Sequence, residues 1–271
     1  MNERDRVRAP IVVWSAVVAL LLIAPTLVVI PLSFTDKRSF AFPIEGWTMQ
    51  WYSNFFEDPR WMDALGTSVR LAVIVGVLAT VIGTLAALGL DRTRSLPHRA
   101  VRALLMLPIV VPGIVAAVAI YGRYLDWGIS GTFNGLLVAH TALAVPFVVI
   151  AVSTTLRGFD QTLDRAAAVL GAGPVARFLQ VKLPIIAPGV VTGFVFAFVT
   201  SLDEVVVAYF LQAPDLRTLP VQMYSSVTVE TDPSIAVASS LVLVVSTVII
   251  LIPGLVAAVR TRRAAARKES A

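Results

Sequence analysis

Two carboxylates, Asp203 and Glu204, stand side by side in the apolar stretch "FVTSLDEVVVAYF", with no lysine, arginine or histidine next to them. An acid at depth in a membrane helix costs about 2.5–3.5 kcal/mol on insertion scales, so it normally faces a bundle interior or an aqueous cavity. Continued as one α-helix, the stretch groups Glu204 with Gly193, Ala197, Thr200, Ser201 and Ala208. That stripe is small and polar and suits close helix packing or a pore wall. Asp203 falls to one side with Phe196 and Phe210, where charge pairing and cation–π attraction would both favour an ammonium group. Three readings stay open. The acids line a path for a cationic substrate, they form a network with a partner subunit, or one of them is protonated and merely buried.

Other chemistry is sparse. The absence of cysteine excludes disulfides, thiolate catalysis and cysteine-based metal sites. His98 and His140 are the only imidazoles, too few for a histidine-rich metal site, and His140 reads as packed and neutral. No G-x-x-x-x-G-K-[ST] phosphate loop occurs, so the chain cannot bind ATP through one. The polar loops hold no convincing nucleophile–base pair. The chain is therefore read as a non-enzyme without a cofactor or metal of its own.

The elements that must position the acids are membrane helices. The 271 residues are 57% hydrophobic and 14% charged, against about 25% charged in soluble domains. A spanning helix needs about 20 mostly apolar residues. Six runs qualify: 10–34, 67–90, 101–124, 133–156, 186–212 and 234–259. The fold class is all-α and polytopic. The first run is longer than a secretory signal and reads as a retained helix. Pro108 and Pro112 fall inside the third run, which predicts a kinked helix.

Six spans leave both termini on one side. That side, with the 91–99 and 157–185 loops, carries 16 of the 22 Lys and Arg, so the positive-inside rule places it in the cytoplasm. The layout is then a cytoplasmic N-terminus and first helix (1–34), an outer loop (35–66), a helical core (67–259) and a basic cytoplasmic tail (260–271). The tail "RTRRAAARK" reads as an anchor beside anionic lipid rather than a nucleic-acid arm. Trp47, Trp51, Tyr52 and Trp61 in the outer loop, and Tyr121, Tyr124 and Trp127 at a helix end, are expected at the membrane interface. The outer loop is also long enough for a short interfacial segment.

The longest inner loop reads "RGFDQTLDRAAAVLGAGPVARFLQVKLPIIAPG". It predicts a helix over 161–170 stopped by Gly171. A second helix opens at Pro174 and ends near Lys182, with Leu183 pushed out of the α region by Pro184. Ala166, Ala167 and Ala168 keep the elbow's surface low enough for another protein to approach.

Within it, "RAAAVLGAGPVARFLQVKLP" resembles the EAA motif of permease subunits in bacterial ATP-binding-cassette importers: Glu-Ala-Ala, three residues, Gly, nine residues, Ile-x-Leu-Pro. Here the motif falls on Arg165-Ala166-Ala167, Gly171 and Val181-Lys182-Leu183-Pro184. All spacings match. Arg165 stands in place of the usual glutamate, with Asp164 one residue earlier. The segments "GWTMQWYSNFFEDPRWMDALGTSVRLA", "LPIVVPGIVAAVAI", "LLVAHTALAVPFVVIAV" and "SLDEVVVAYFLQAPDLRTLPVQMYSSV" resemble the spermidine/putrescine branch. The resemblance implies a type I importer permease fold in the bacterial inner membrane. It implies that the elbow, with Asp164, Arg165, Ala166, Ala167, Gly171, Leu183 and Pro184, couples to an ATPase. Two ATPase subunits would bind ATP and magnesium. A second permease subunit, implied to be non-identical, and an external solute-binding protein complete the machine. The substrate path would use Asp203, Glu204, Phe196, Thr200 and Phe210. The same machine with another small solute is the alternative, and a gradient-driven carrier or channel is the reading from another class.

Overall fold

The computed structural model describes residues 3–38, 43–92, 96–228 and 232–269, with backbone alone for 3–11, 25, 92, 96–98, 253 and 255–269. The side chains of Arg94, His98 and the basic residues of both termini lie outside what is described. The helices are α1 (Glu3–Leu32), α2 (Gln50–Glu57), α3 (Pro59–Arg92), α4 (Leu96–Val110), α5 (Gly113–Asp126), α6 (Phe133–Leu156), α7 (Gln161–Val169), α8 (Pro174–Arg177), α9 (Leu183–Asp203), α10 (Val206–Leu211), α11 (Leu219–Thr228) and α12 (Ser234–Glu269). A π-helical turn, Phe178–Lys182, joins α8 to α9. Among the described residues, four helical segments are long and apolar enough to cross a membrane: Pro59–Asp91, Phe133–Leu156, Pro174–Asp203 and Ser234–Ile252. Two bent pairs, Val12–Ala24 with Thr26–Leu32 and Arg99–Val110 with Gly113–Asp126, bring the number to six if each is one span.

Two of the six expected runs take another shape. The third is not one kinked helix, because α4 and α5 meet at 104°. Pro112, at φ −55° and ψ 132°, has no N–H to continue the ladder and disfavours helix in the residue before it. Pro108, by contrast, is accommodated inside α4. The fifth run breaks before its expected end and is continuous through its expected start. It stops at Asp203, and its beginning merges with the elbow. Leu183 is helical at φ −59° and ψ −44°, and its N–H bonds the Phe178 carbonyl five residues back. The wider π turn relieves the clash that Pro184 would otherwise make with the carbonyl four residues before it. The second elbow helix therefore does not end at Lys182.

The chain divides into two compact units, Met1–Met62 with Met223–Val248, and Asp63–Gln222 with Ile249–Ala271. In the first, α2 buries Trp51 and Phe55. Trp51 Nε1 donates to the Thr35 carbonyl at 2.7 Å, and Trp61 Nε1 donates to Asp232 Oδ2 at 3.3 Å. Both indoles were expected at an interface. They are buried instead, at 4% and 1% exposure, while Trp47 is 71% exposed. A buried indole contributes its large apolar area so long as its N–H finds an acceptor, and here both do.

In the second unit, α6 lies at the centre. Ala144, Val148 and Val152 on it are fully buried. Neighbouring helices approach it through glycines. A Cβ added at Gly83 of α3 would lie 2.6 Å from Val148 Cβ. One at Gly193 of α9 would lie 3.0 Å from Val148 Cγ1, and one at Gly189 would lie 2.3 Å from Thr155 Oγ1. Membrane helices gain no hydrophobic energy by leaving lipid, so close van der Waals approach across small residues must hold them together. Gly189, Gly193, Ala197 and Ser201 are all buried on α9. Gly193, Ala197 and Ser201 of the expected stripe are thus used in close packing. Ala117 of α5 and Val207, Ala208 and Leu211 of α10 complete the same core.

Candidate functional site

The two acids lie at the end of one helix and the start of another. Asp203 is the last residue of α9. Glu204 turns extended, at φ −74° and ψ 115°, and helix resumes at Val206. Three successive valines, Val205 to Val207, restrict χ1 and weaken helix here. The first N–H groups of α10 have no partner within the helix. The Glu204 carboxylate supplies two: Val207 N–H donates to Oε1 at 3.0 Å and Ala208 N–H to Oε2 at 2.9 Å. Glu204 thus leaves the helical stripe on which a continuous helix would put it.

A third group reaches the break from α6. His140 is 1% exposed. Its Nδ1 is 3.0 Å from Ser201 Oγ, in the last turn of α9, and its Nε2 is 3.7 Å from Glu204 Oε2. Asp203 differs from its neighbour. It is exposed, and no described side chain pairs with it. Thr200 is half-buried. Phe196 is 48% exposed on α9. Phe210 lies beyond the break, half-buried and edge-on to Tyr121 with ring centres 6.3 Å apart. The break therefore separates the two phenylalanines that a continuous helix would align. Among the described residues, no cluster of three or more His, Asp or Glu could hold a metal.

The elbow is built by local hydrogen bonding. Asp160 caps α7, its carboxylate accepting from Thr162 N–H at 2.8 Å, and that bond holds the Asp160 carboxyl below its ordinary pKa. Gly171, at φ +85°, closes the other end. Gly171 N–H donates to Ala168 O and Ala172 N–H to Ala167 O, each at 3.0 Å. This paired bonding to a left-handed glycine satisfies carbonyls that a helix end leaves free. Pro174 opens α8 at its first turn. Lys182 Nζ lies 5.0 Å over the Phe159 ring. Arg165 and Ala166 point outward, Ala167 and Leu183 are half-buried, and Pro184 is exposed. Val169, Leu170 and Val175 are 88%, 86% and 71% exposed. The elbow thus presents exposed apolar residues and the Arg165 cation around a hydrogen-bonded turn.

A family model described as binding-protein-dependent transport system inner membrane component matches residues 79–264, a stretch that includes both the elbow and the break. The chain belongs to this family. This inner-membrane component is 33% identical over 241 residues to the spermidine/putrescine transport system permease protein PotC of Escherichia coli (strain K12), covering 89% of this chain and 91% of that one. It is 30% identical over 254 residues to the putrescine transport system permease protein PotI of the same strain, covering 90% and 89%. It is also 35% identical over 209 residues to the molybdenum transport system permease protein ModB of Mycobacterium bovis, covering 72% and 78%. In fold it resembles a chain in the crystal structure of a bacterial ABC transporter involved in the import of the acidic polysaccharide alginate. There the TM-score is 0.68 at 16% identity, covering 94% and 97% of the two chains. The permease is a multi-pass inner-membrane protein with an ABC-importer permease fold.

Sequence reasoning paired neither His140 with Ser201 nor Asp164 with Arg177. The first pair is 61 residues apart and the second 13, and neither spacing is a local helical one. The valine run after Glu204 was the available signal for the break.

Proposed function

We propose that this permease forms the translocation path of an ATP-driven importer for polyamines such as putrescine and spermidine. The observation that carries the reading is similarity to PotC and PotI over about nine-tenths of each chain. The geometry of the break supports it. Asp203 is an exposed carboxylate without a described partner, which suits an ammonium group. Thr200, Phe196 and Phe210 would line the path on either side of the break, and Glu204 would shape it by fixing α10.

The chain would work as one of two non-identical permease subunits, with both termini in the cytoplasm. The elbow, with Asp164, Arg165, Ala166, Ala167, Gly171, Leu183 and Pro184, would dock on one of two ATPase subunits, which bind ATP and magnesium. An external binding protein would deliver the solute. The exposed apolar residues around the Gly171 turn favour such docking, as does the absence of a phosphate-binding loop in this chain.

Uptake of labelled putrescine by the assembled transporter tests the site. Asp203→Asn should slow uptake strongly and Glu204→Gln should also slow it. Wild-type rates in both variants would sink the polyamine path. A second reading, import of a molybdenum species, rests on the similarity to ModB. Labelled molybdate in the same assay distinguishes the two.

A further inference from the structure

His140 is a buried side chain that faces both sides of the helix break. Its Nδ1 lies 3.0 Å from Ser201 Oγ, one turn before the break. Its Nε2 lies 3.7 Å from Glu204 Oε2, at the break itself. No other described group satisfies Nε2, which is buried without a hydrogen-bond partner. A polar atom in that condition is costly, so its orientation calls for a reason.

The tautomer follows from what each nitrogen faces. A hydroxyl can donate or accept, whereas an ionised carboxylate only accepts. If Nδ1 carried the proton, the Nε2 lone pair would point at the Glu204 carboxylate, and two acceptors would oppose each other. With the proton on Nε2, an N–H points at that carboxylate and Ser201 can donate to Nδ1. Glu204 Oε2 already accepts from Ala208 N–H, but a carboxylate oxygen has room for a second donor. The gap of 3.7 Å exceeds an ordinary N–H···O bond by about 0.5–1 Å, a distance that a small shift of α10 towards α6 would close.

We propose that His140 is a positioning residue for transport, its Nε2–H directed at Glu204, so that α6 holds the capping carboxylate, and with it the start of α10, in register with the end of α9. The geometric part stands on the break alone, while its consequence for transport rests on the break belonging to the solute path.

The test uses the assembled transporter with isotope-labelled histidine in this chain. Only His98 and His140 are present, so His98→Gln leaves a single imidazole for nitrogen-15 NMR in lipid nanodiscs. The expected result is a proton on Nε2, an Nε2 resonance that moves in Glu204→Gln and an Nδ1 resonance that moves in Ser201→Ala. A proton on Nδ1 alone, or ring signals indifferent to Glu204→Gln, overturns the proposal. Transport gives the second arm. The amide of His140→Gln reaches towards the Nε2 position and that of His140→Asn towards Nδ1. Uptake of labelled putrescine should be about ten-fold faster in the Gln variant, the factor expected of a hydrogen bond to a charged group. Equal rates overturn the proposal. If the wild type takes up no putrescine, the polyamine reading fails instead, and the NMR arm still decides the role of His140.

Discussion

Arg177 Nη1 donates to Asp164 Oδ2 at 3.3 Å, tying α8 to α7 across the Gly171 turn. This bears on the departure from the EAA pattern at Arg165. Asp164 is engaged within the elbow, and Arg165 is exposed beside it. The residue at the motif's glutamate position thus offers an exposed cation, while the neighbouring carboxylate is paired with Arg177.

The pair is partly solvated, with side chains 26% and 32% exposed, and such pairs contribute about 0–1 kcal/mol. Asp164→Asn should therefore lower stability by about 0.5 kcal/mol, and the difference should shrink in high salt. Thermal unfolding of the purified protein at low and high ionic strength measures it. A loss that is large and independent of salt would mean that Asp164 acts through something other than this pair.

Gly171→Ala places a Cβ at φ +85°, where a side chain costs about 1–2 kcal/mol. No atom lies within 4 Å of that position, so the penalty is conformational rather than steric. The Ala172 amide, which bonds the Ala167 carbonyl, should exchange faster by hydrogen–deuterium measurement. An unchanged rate would show that the turn tolerates a side chain.

Gly189→Ala should destabilise the α6–α9 contact by about 1–3 kcal/mol, the usual cost of overpacking. The new Cβ would meet Thr155 Oγ1 at 2.3 Å, Thr155 Cγ2 at 2.8 Å and the Ala151 carbonyl at 2.9 Å. Adding Thr155→Ala removes the first two contacts and leaves the third. Stability of the double variant should lie between those of the wild type and Gly189→Ala. Full recovery would mean that the backbone contact yields freely.

The α7 cap should depend on pH in one direction only. The bond from Thr162 N–H keeps the Asp160 carboxyl below its ordinary range. A depressed folded-state pKa stabilises above the unfolded value and is lost as pH falls through the folded one. The Thr162 amide shift should therefore be flat at neutral pH and move only on acidification below the usual carboxylate range. Asp160→Asn, which can still accept, should remove the titration and keep the cap. A Thr162 shift that titrates near neutrality would contradict this.

Much of the architecture was legible because membrane helices and turn residues leave local marks. Six apolar runs, the glycine stop at 171 and the proline start at 174 each follow from a few adjacent residues. The acids at 203 and 204 were visible too, but their geometry was not. A helical wheel assumes an unbroken helix, and the backbone turns at Glu204 because a cap is available there. Trp51 and Trp61 were misplaced for a related reason. Their acceptors, the Thr35 carbonyl and Asp232, lie 16 and 171 residues away and leave no trace in composition.

Ending α9 at Asp203 also has an electrical consequence. The last carbonyls of a helix lack intrahelical donors and together carry about −0.5 of an elementary charge. Here that negative pole lies beside an exposed carboxylate. The opposite pole, at the start of α10, is already neutralised by Glu204. A cation therefore meets two sources of attraction near Asp203, one of which belongs to the backbone. Asp203→Asn removes only the other, so the variant should retain a residual bias against anions, and no acidification of the medium can titrate that remainder away.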